Sequence, residues 1–252
     1  MPEECAEAPD TDEAALLGGR ARLRQPVRGY RAGMDAALLA AAVEAVPGER
    51  VLEAGCGAGA ALVQAALRSP DARFCGVERD SAALGLALAN IKLNRLEGRC
   101  EVLTGDVGDG FRGLGLERFD AAFSNPPFFD DAGALRAPAA ERRGAWMADA
   151  GLEAWCAFLL AGVRDGGRIT VIHRADRLAD LLAGLGPKAG SFAVRPVHPF
   201  ADAPAKRVLV RAVRGGRAPL RLLPALVLHA RDGAKHTPEA DALLRGETAL
   251  GW

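Results

Sequence analysis

Two short runs in this 252-residue chain combine residue types with a chemical use. The first is Val51-Leu52-Glu53-Ala54-Gly55-Cys56-Gly57-Ala58-Gly59, an apolar strand that runs into glycines and then a helix. Glycine admits positive φ and close approach of a ligand to the backbone, and a helix start offers free N–H groups, so the turn suits a flat or anionic ligand. A dinucleotide turn needs G-x-G-x-x-G for a pyrophosphate; Gly55, Gly57 and Gly59 instead give G-x-G-x-G with an acid, Glu53, just before. That carboxylate repels pyrophosphate but suits the cationic amino group of a methionine moiety, held directly or through water. The alternative is a tight turn with no ligand.

The second run, Asn125-Pro126-Pro127-Phe128, directly follows the apolar stretch Phe119 to Ser124. An exocyclic amine on an aromatic ring is a poor nucleophile, because its lone pair is delocalised into the ring. Acceptors aimed at both amine hydrogens favour pyramidalisation and free that pair. The Asn125 side-chain oxygen and the Pro126 carbonyl suit this task, since proline fixes φ and aims the chain. Phe128 would stack on a flipped-out base, an interaction worth about 1–3 kcal/mol. No general base is needed before attack, because the proton leaves after the methyl group arrives. The alternative is a strand-ending Pro-Pro turn with a core phenylalanine.

Two further acids fall at strand ends. Glu78, in Gly76-Val77-Glu78, either accepts from both hydroxyls of a ribose, a reading that rests on its spacing from the glycine turn, or is a solvated loop residue at a strand end. Asp106, in Thr104-Gly105-Asp106-Val107, either accepts from an adenine amine with Val107 against the ring or caps a helix, and both readings stay open.

The elements that must carry these residues alternate. Arg22 to Pro26 reads as a short strand, and Asp35 as the N-cap of a helix from Ala36 to Val46 ended by Pro47-Gly48. Strands follow at Arg50 to Glu53, Arg73 to Glu78, Cys100 to Thr104, Phe119 to Ser124 and Arg168 to His173, with helices at Ala60 to Arg68, Ala82 to Asn94 and Leu152 to Val163. Such alternation implies right-handed crossovers and a mostly parallel, doubly wound α/β sheet with ligands at the carboxyl ends of its strands. Phe192 to Pro196, Arg207 to Val213 and Leu220 to Leu228 then follow with no long helix between the last two, which suggests a hairpin-like antiparallel edge. Residues 1–19 carry only acids among their charged groups and read as a flexible tail; residues 20–252 read as a single domain with an N-terminal strand and helix extension and a lid loop at 130–150.

The chain is formally neutral, with a pI near 6.9, so a diffuse polycationic coat is excluded. From Arg164 to Lys235, however, fourteen basic residues face five acidic ones, which points to an anionic partner on that half, with Arg207, Arg211 and Arg214 as candidate nucleic-acid contacts. The competing reading is a solvated arginine-rich surface. Five cysteines form no C-x-x-C pair, and His173, His198, His229 and His236 lack H-x-x-x-H spacing, so neither a metal site nor a disulfide framework is expected. Cys56 reads as a small filler, and Trp146 and Trp155 as lid and helix-packing residues. With no apolar run long enough for a membrane span and an acidic N-terminus, a soluble protein of the reducing cytoplasm is expected.

The glycine turn plus Asn125 to Phe128 resembles the signature of class I amino-methyltransferases, and Asn90 to Leu96 resembles the end of their second helix. The runs Gln25 to Leu39, Ala218 to Pro224, Leu228-His229 and Thr237-Pro238-Glu239 are similar to bacterial valine-tRNA adenine-N6 methyltransferases, a likeness spanning roughly residues 19 to 250. The resemblance implies a Rossmann-like class I methyltransferase fold, with a seven-stranded, mostly parallel, doubly wound sheet and an antiparallel C-terminal edge. It also implies S-adenosylmethionine as donor, no metal, and an adenine beside a tRNA anticodon as acceptor. Carried over residue by residue, Glu53, Gly55 and Gly57 contact the methionine part, Glu78 the ribose, and Asp106 with Val107 the adenine of the donor. Asn125, Pro126 and Phe128 hold the target amine, while Tyr30, Arg31 and Asp35 close the site from the N-terminal side. Phe128 stands where the family often has tyrosine, which keeps stacking and removes a hydroxyl. The same clamp suits a glutamine amide, so a protein glutamine N5-methyltransferase is the first rival. A non-catalytic RNA-binding protein that retains the fold is the second.

Overall fold

The structure, a computed structural model, describes residues 11–27, 33–128, 151–231 and 233–252. In chain order the elements are β1 (Thr11–Leu16), β2 (Ala21–Pro26), α1 (Met34–Ala42), β3 (Arg50–Ala54), α2 (Ala60–Arg68), β4 (Arg73–Glu78), α3 (Ser81–Leu93), β5 (Cys100–Thr104) and β6 (Phe119–Ser124). They continue with α4 (Leu152–Gly162), β7 (Val163–Arg174), α5 (Leu178–Leu185), β8 (Ala189–His198), β9 (Arg207–Arg214), the short β10 (Arg221–Leu222) and β11 (Leu226–Val227), and α6 (Pro238–Arg245).

Seven full strands lie in the order β8-β9-β7-β6-β3-β4-β5, with β10 and β11 both docked on β8. Pairing is parallel from β7 through β5, and β9 runs antiparallel to both of its neighbours. The antiparallel strand therefore lies one place inside the C-terminal edge. Val51, Leu52 and Ala54 of β3 are fully buried, as a central parallel strand covered on both faces must be. Residues of α1, α2 and α3 fill the core on one face of the sheet, and residues of α4 and α5 fill that on the other.

Three departures from the sequence reading have physical causes. Residues 11–19 do not behave as a frayed tail: β1 pairs with β2 over six antiparallel rungs, and Leu17 in the connecting turn is buried. One of the acids that suggest a tail, Glu13, finds its counter-charges in the next strand, where it meets Arg22 at 2.5 Å and Arg24 at 3.8 Å. Helix α1 starts on Gly33 with no side-chain cap and stops at Ala42. The Val46 N–H instead donates to the Glu49 carboxylate at 2.9 Å, and Pro47 disfavours a helical predecessor. The run from Leu220 to Leu228 does not form a hairpin with β9. Pro224, which lacks an N–H, splits it into β10 and β11, both parallel to β8.

The hairpin is tied to the sheet domain by two asparagines one helical turn apart on α3. Asn90, fully buried, accepts from the Arg24 N–H at 2.7 Å and donates to the carbonyls of Arg24 and Ala58 at 2.9 Å each. Asn94 repeats the pattern on Arg22, accepting at 2.9 Å and donating at 2.6 Å. The helix thus presents side-chain amides where a neighbouring strand would present peptides. Replacing Asn90 by alanine strands several buried polar groups, and urea unfolding should show a loss of about 2–4 kcal/mol. The more exposed Asn94→Ala should cost about 1 kcal/mol; equal losses at the two positions would contradict this account.

Candidate active site

The site is set by one rung of the sheet. Ala54, the last residue of β3, pairs with Ser124, the last residue of β6, and the buried Ser124 hydroxyl donates to the Ala54 carbonyl at 2.8 Å. The next residues of the two strands are Gly55 and Asn125, so the glycine turn and the Asn-Pro-Pro-Phe run leave the sheet about one strand spacing, ~4.8 Å, apart.

Within the turn Gly55, Gly57 and Gly59 have φ of +65°, +53° and +79°. The N–H groups of Gly55 and Cys56 both donate to the Val77 carbonyl, at 2.9 and 3.1 Å. At Gly55 glycine is required twice, since a Cβ there would lie 2.3 Å from the indole of Trp155, which reaches over from α4. At Gly57 a Cβ would meet open space, which leaves this backbone approachable by a ligand. Cys56 is buried and its thiol is pushed well above its ordinary value by burial first and then by Glu53 and Glu78, so it stays protonated.

Glu53 lies beneath this turn at 3% exposure, with Oε2 lacking a hydrogen-bond partner. Its carboxyl is pushed well above the usual range, mainly by burial and then by the charge of Glu78. A buried acid with an unanswered oxygen beside a second acid is a receptor for a cation, and the amino group of a methionine moiety fits that need. Glu78 accepts from the N–H groups of Gly57 at 2.8 Å and of Arg79 and Asp80 at 2.9 Å each, bracing the turn against the next strand. Asp106 accepts from the Gly108 N–H at 2.7 Å, as a cap does, and meets Arg79 at 3.4 Å. Val107, beside it, is buried.

On the acceptor side Asn125 is half-buried and Pro126 buried. The Phe128 ring stacks on His173, with centroids 5.4 Å apart and planes 14° from parallel, and the Arg207 guanidinium lies 4.7 Å from its centroid. Arg207 is held in turn by Asp35 at 2.9 Å. His173 is 3% exposed and its Nδ1 has no partner; burial, and then the charges of Arg174 and Arg207, push it down to about 4, so the imidazole is neutral at physiological pH. Beside this stack lies a hollow of about 300 Å³ lined by Phe128, Leu152, His173, Arg174, Asp176 and Arg177.

The structure thus brings Glu53, Gly55, Gly57 and Glu78 together at the glycine turn, and Phe128, Asp35 and Arg207 together beside the end of β6. Asp35 is not an N-cap; it sits in the first turn of α1 as the partner of Arg207. Tyr30, Arg31 and the 130–150 segment lie outside the described residues. Arg207, Arg211 and Arg214 do not form one basic patch. Side chains alternate along β9, so Arg214 points to the opposite face from Arg207 and Arg211. Arg211 pairs with Glu44 at 2.7 Å, while Arg214 pairs with Asp165 at 2.8 Å and donates to the carbonyls of Leu160 and Val163. His173 was missed as a site residue because its histidine spacing says nothing; the usable signal was its place at the end of an apolar strand. Among the described residues no cluster fit for a metal ion occurs, and no helix is long and apolar enough to cross a membrane.

The fold is that of class I S-adenosylmethionine-dependent methyltransferases. It superimposes on the crystal structure of a predicted O-methyltransferase from Agrobacterium tumefaciens with a TM-score of 0.71 and 28% identity, covering 86% of this chain and 98% of that one. Residues 31–142 match the family model of the methyltransferase small domain. More particularly, the chain is 33% identical over 159 residues to the tRNA1(Val) (adenine(37)-N6)-methyltransferase of Porphyromonas gingivalis strain W83, 60% of this chain and 61% of that protein, so it spans under two thirds of this relative's length. It is also 38% identical over 85 residues to the release factor glutamine methyltransferase of Gloeobacter violaceus, 34% of this chain and 29% of that protein. The resemblance to the valine-tRNA family suggested by the motifs is borne out by these matches.

Two measurements probe the electrostatics. Glu53 is raised above its unfolded value, so its contribution to stability is fully present below the unfolded pKa and is lost as pH rises. Glu53→Gln should therefore gain stability over the parent at pH 8 relative to pH 5 in ligand-free urea unfolding, while calorimetry shows weaker S-adenosylmethionine binding. A variant that is no steadier at pH 8 would refute the buried-charge reading. For His173 the sign reverses: a depressed value means stability present above about 6.5 and lost as pH falls toward about 4. His173→Phe should remove a pH-dependent component on the order of 3 kcal/mol across that window, visible as a urea midpoint that falls less than that of the parent as the pH drops.

Proposed function

We propose that this protein methylates N6 of an adenine in tRNA, with S-adenosylmethionine as the donor. The observation that carries the reading is the Ala54–Ser124 rung, which sets the cation-seeking glycine turn and the Asn125-Pro126 acceptor pair side by side. When bound, the donor supplies a methyl group on a sulfonium.

The residues of the chain then have distinct tasks. Glu53 receives the amino group of the donor's methionine part, and Glu78 lies next to the turn where a ribose would rest. The Asn125 side-chain oxygen and the Pro126 carbonyl accept from the two hydrogens of the target amine, which draws its nitrogen toward a pyramidal, nucleophilic form. Phe128, held by His173 and Arg207, provides the flat apolar wall for the base. Alignment of nitrogen and methyl carbon supplies the rate, as positioning does in bimolecular displacements. The likeness to the tRNA1(Val) enzyme supports an adenine acceptor, and the excess of basic residues from Arg164 to Lys235 supports an RNA.

Asn125→Ala should lower methyl transfer at least a hundredfold, with binding of S-adenosylhomocysteine retained within about threefold, since the lost contact acts on the amine alone. Tritium transfer and calorimetry on the same preparation give the two readouts; loss of cofactor binding with the rate would contradict the assigned role. Mass spectrometry of nucleosides from host tRNA with and without the protein identifies the acceptor. An N6-methyladenosine peak present only with the protein fits the proposal. An unchanged nucleoside profile beside a methylated glutamine peptide assigns the protein to the other activity found among its relatives.

A further inference from the structure

We infer that the loops following β8 and β11 form a stacking platform for unpaired RNA nucleotides flanking the methylated base, an inference that rests on the RNA reading above. Three flat rings line up there. Phe200 and His229 have centroids 5.6 Å apart, and His229 stacks on His236 at 5.3 Å and 26°. The Arg231 guanidinium covers Phe200 at 4.4 Å and is steered by Asp202 at 2.9 Å. All three rings are half-buried, His229 stands between Phe200 and His236, and Lys206, Arg231 and Lys235 around them are exposed.

The loops are fixed from within. The backbone of Leu228 donates to the His198 carbonyl and that of His229 to the Pro199 carbonyl, each at 2.9 Å, which prolongs the β11–β8 pairing into the loops. His198 Nδ1 contacts the Ala203 carbonyl at 2.7 Å, and His229 Nδ1 the Lys235 carbonyl at 2.8 Å. Thr237 Oγ1 donates to the Val227 carbonyl at 2.7 Å and closes the second loop onto α6. Rings held this way lose little freedom when a base stacks on them, and stacking is tolerant of base identity.

Their place on the molecule selects the partner. Arg207 is in register with Arg174 of β7 and with Val197 of β8, so the ring-bearing loops leave the sheet at the same edge as the acceptor site. From β6 to β8 is three strand steps, roughly 14 Å. Phe128, Arg207, Lys206 and the Phe200–His229–His236 row thus follow one another from the site outward. RNA loops present splayed bases that proteins bind by aromatic stacking, with lysine and arginine near the phosphates.

The test uses the full chain and a synthetic anticodon stem-loop RNA with adenine at position 37, the position named for the Porphyromonas gingivalis relative. Phe200→Leu should weaken hairpin binding about fivefold or more with an unchanged salt slope. Lys206→Gln with Lys235→Gln should weaken binding and reduce the log–log salt slope by about 1.5. In both variants KM for the hairpin rises while kcat at saturation and S-adenosylhomocysteine binding stay at parental values; the latter confirms folding. If the parent methylates the hairpin and both variants bind it as tightly as the parent, the platform is refuted and the acceptor assignment stands. If the parent neither binds nor methylates the hairpin, the platform and the assignment beneath it both fall.

Discussion

The parallel pairing of β3 with β6 is the constraint on which the site depends. Parallel strands end together at one edge, so two chain segments far apart in sequence leave the sheet side by side. Ser124 makes the rung specific, because its buried hydroxyl has to be answered and the Ala54 carbonyl is the answer. A slip of one residue would turn Glu53 and the Ser124 hydroxyl to the wrong faces and shift Gly55 away from Asn125. The glycines, the prolines and the acids have their meaning only relative to that register.

The glycine-turn side of the site is built at a cost to folding. A carboxyl as buried as Glu53, next to a second acid, is a destabilising choice unless a cation is expected. Around it the structure uses neutral or apolar material: a protonated Cys56, the Trp155 indole over Gly55, and the Asn90 amide on the Ala58 carbonyl. Asn90 links this turn to the N-terminal hairpin, so the hairpin takes part in holding the turn. The acceptor side has the opposite character. There His173 is kept neutral and Arg207 carries the charge, which leaves a flat wall flanked by a cation.

Most of the core strands and the helix α2 were readable in the sequence because their burial leaves short, largely apolar runs bounded by charged residues: β4, β5, β6 and α2 have the bounds that pattern predicts. Elements whose residues are satisfied by distant partners were not. Glu13 of β1 looks like part of a solvated tail until Arg22 and Arg24 are placed beside it. Arg211 and Arg214 look like a nucleic-acid patch until Glu44 and Asp165 are found across from them. The glycine turn was readable for the same reason as the strands, since positive φ leaves a mark on local sequence. The contact of His173 with Phe128 leaves none, because it joins the ends of two strands separated by the whole of α4.

The inserted antiparallel strand explains how the two halves of the sheet divide the labour. In β3, β4 and β5 only carboxyl ends reach the ligand edge, and they bring Glu53, Glu78 and the turns that follow. On the other side β9 runs the opposite way, so its first residue, Arg207, arrives at the edge where β7 and β8 deliver His173 and His198. The β8–β9 connection is therefore forced to lie on the ligand edge, and the docking of β11 on β8 brings a second loop up beside it. In a purely parallel sheet β8 would still end at this edge, but its connection would cross to the far edge before the next strand began, and the first residue of that strand would lie there. Reversal of one strand is thus what brings Arg207 to the edge where the carboxyl ends of β6 and β7 deliver Phe128 and His173, and it does so without adding a domain.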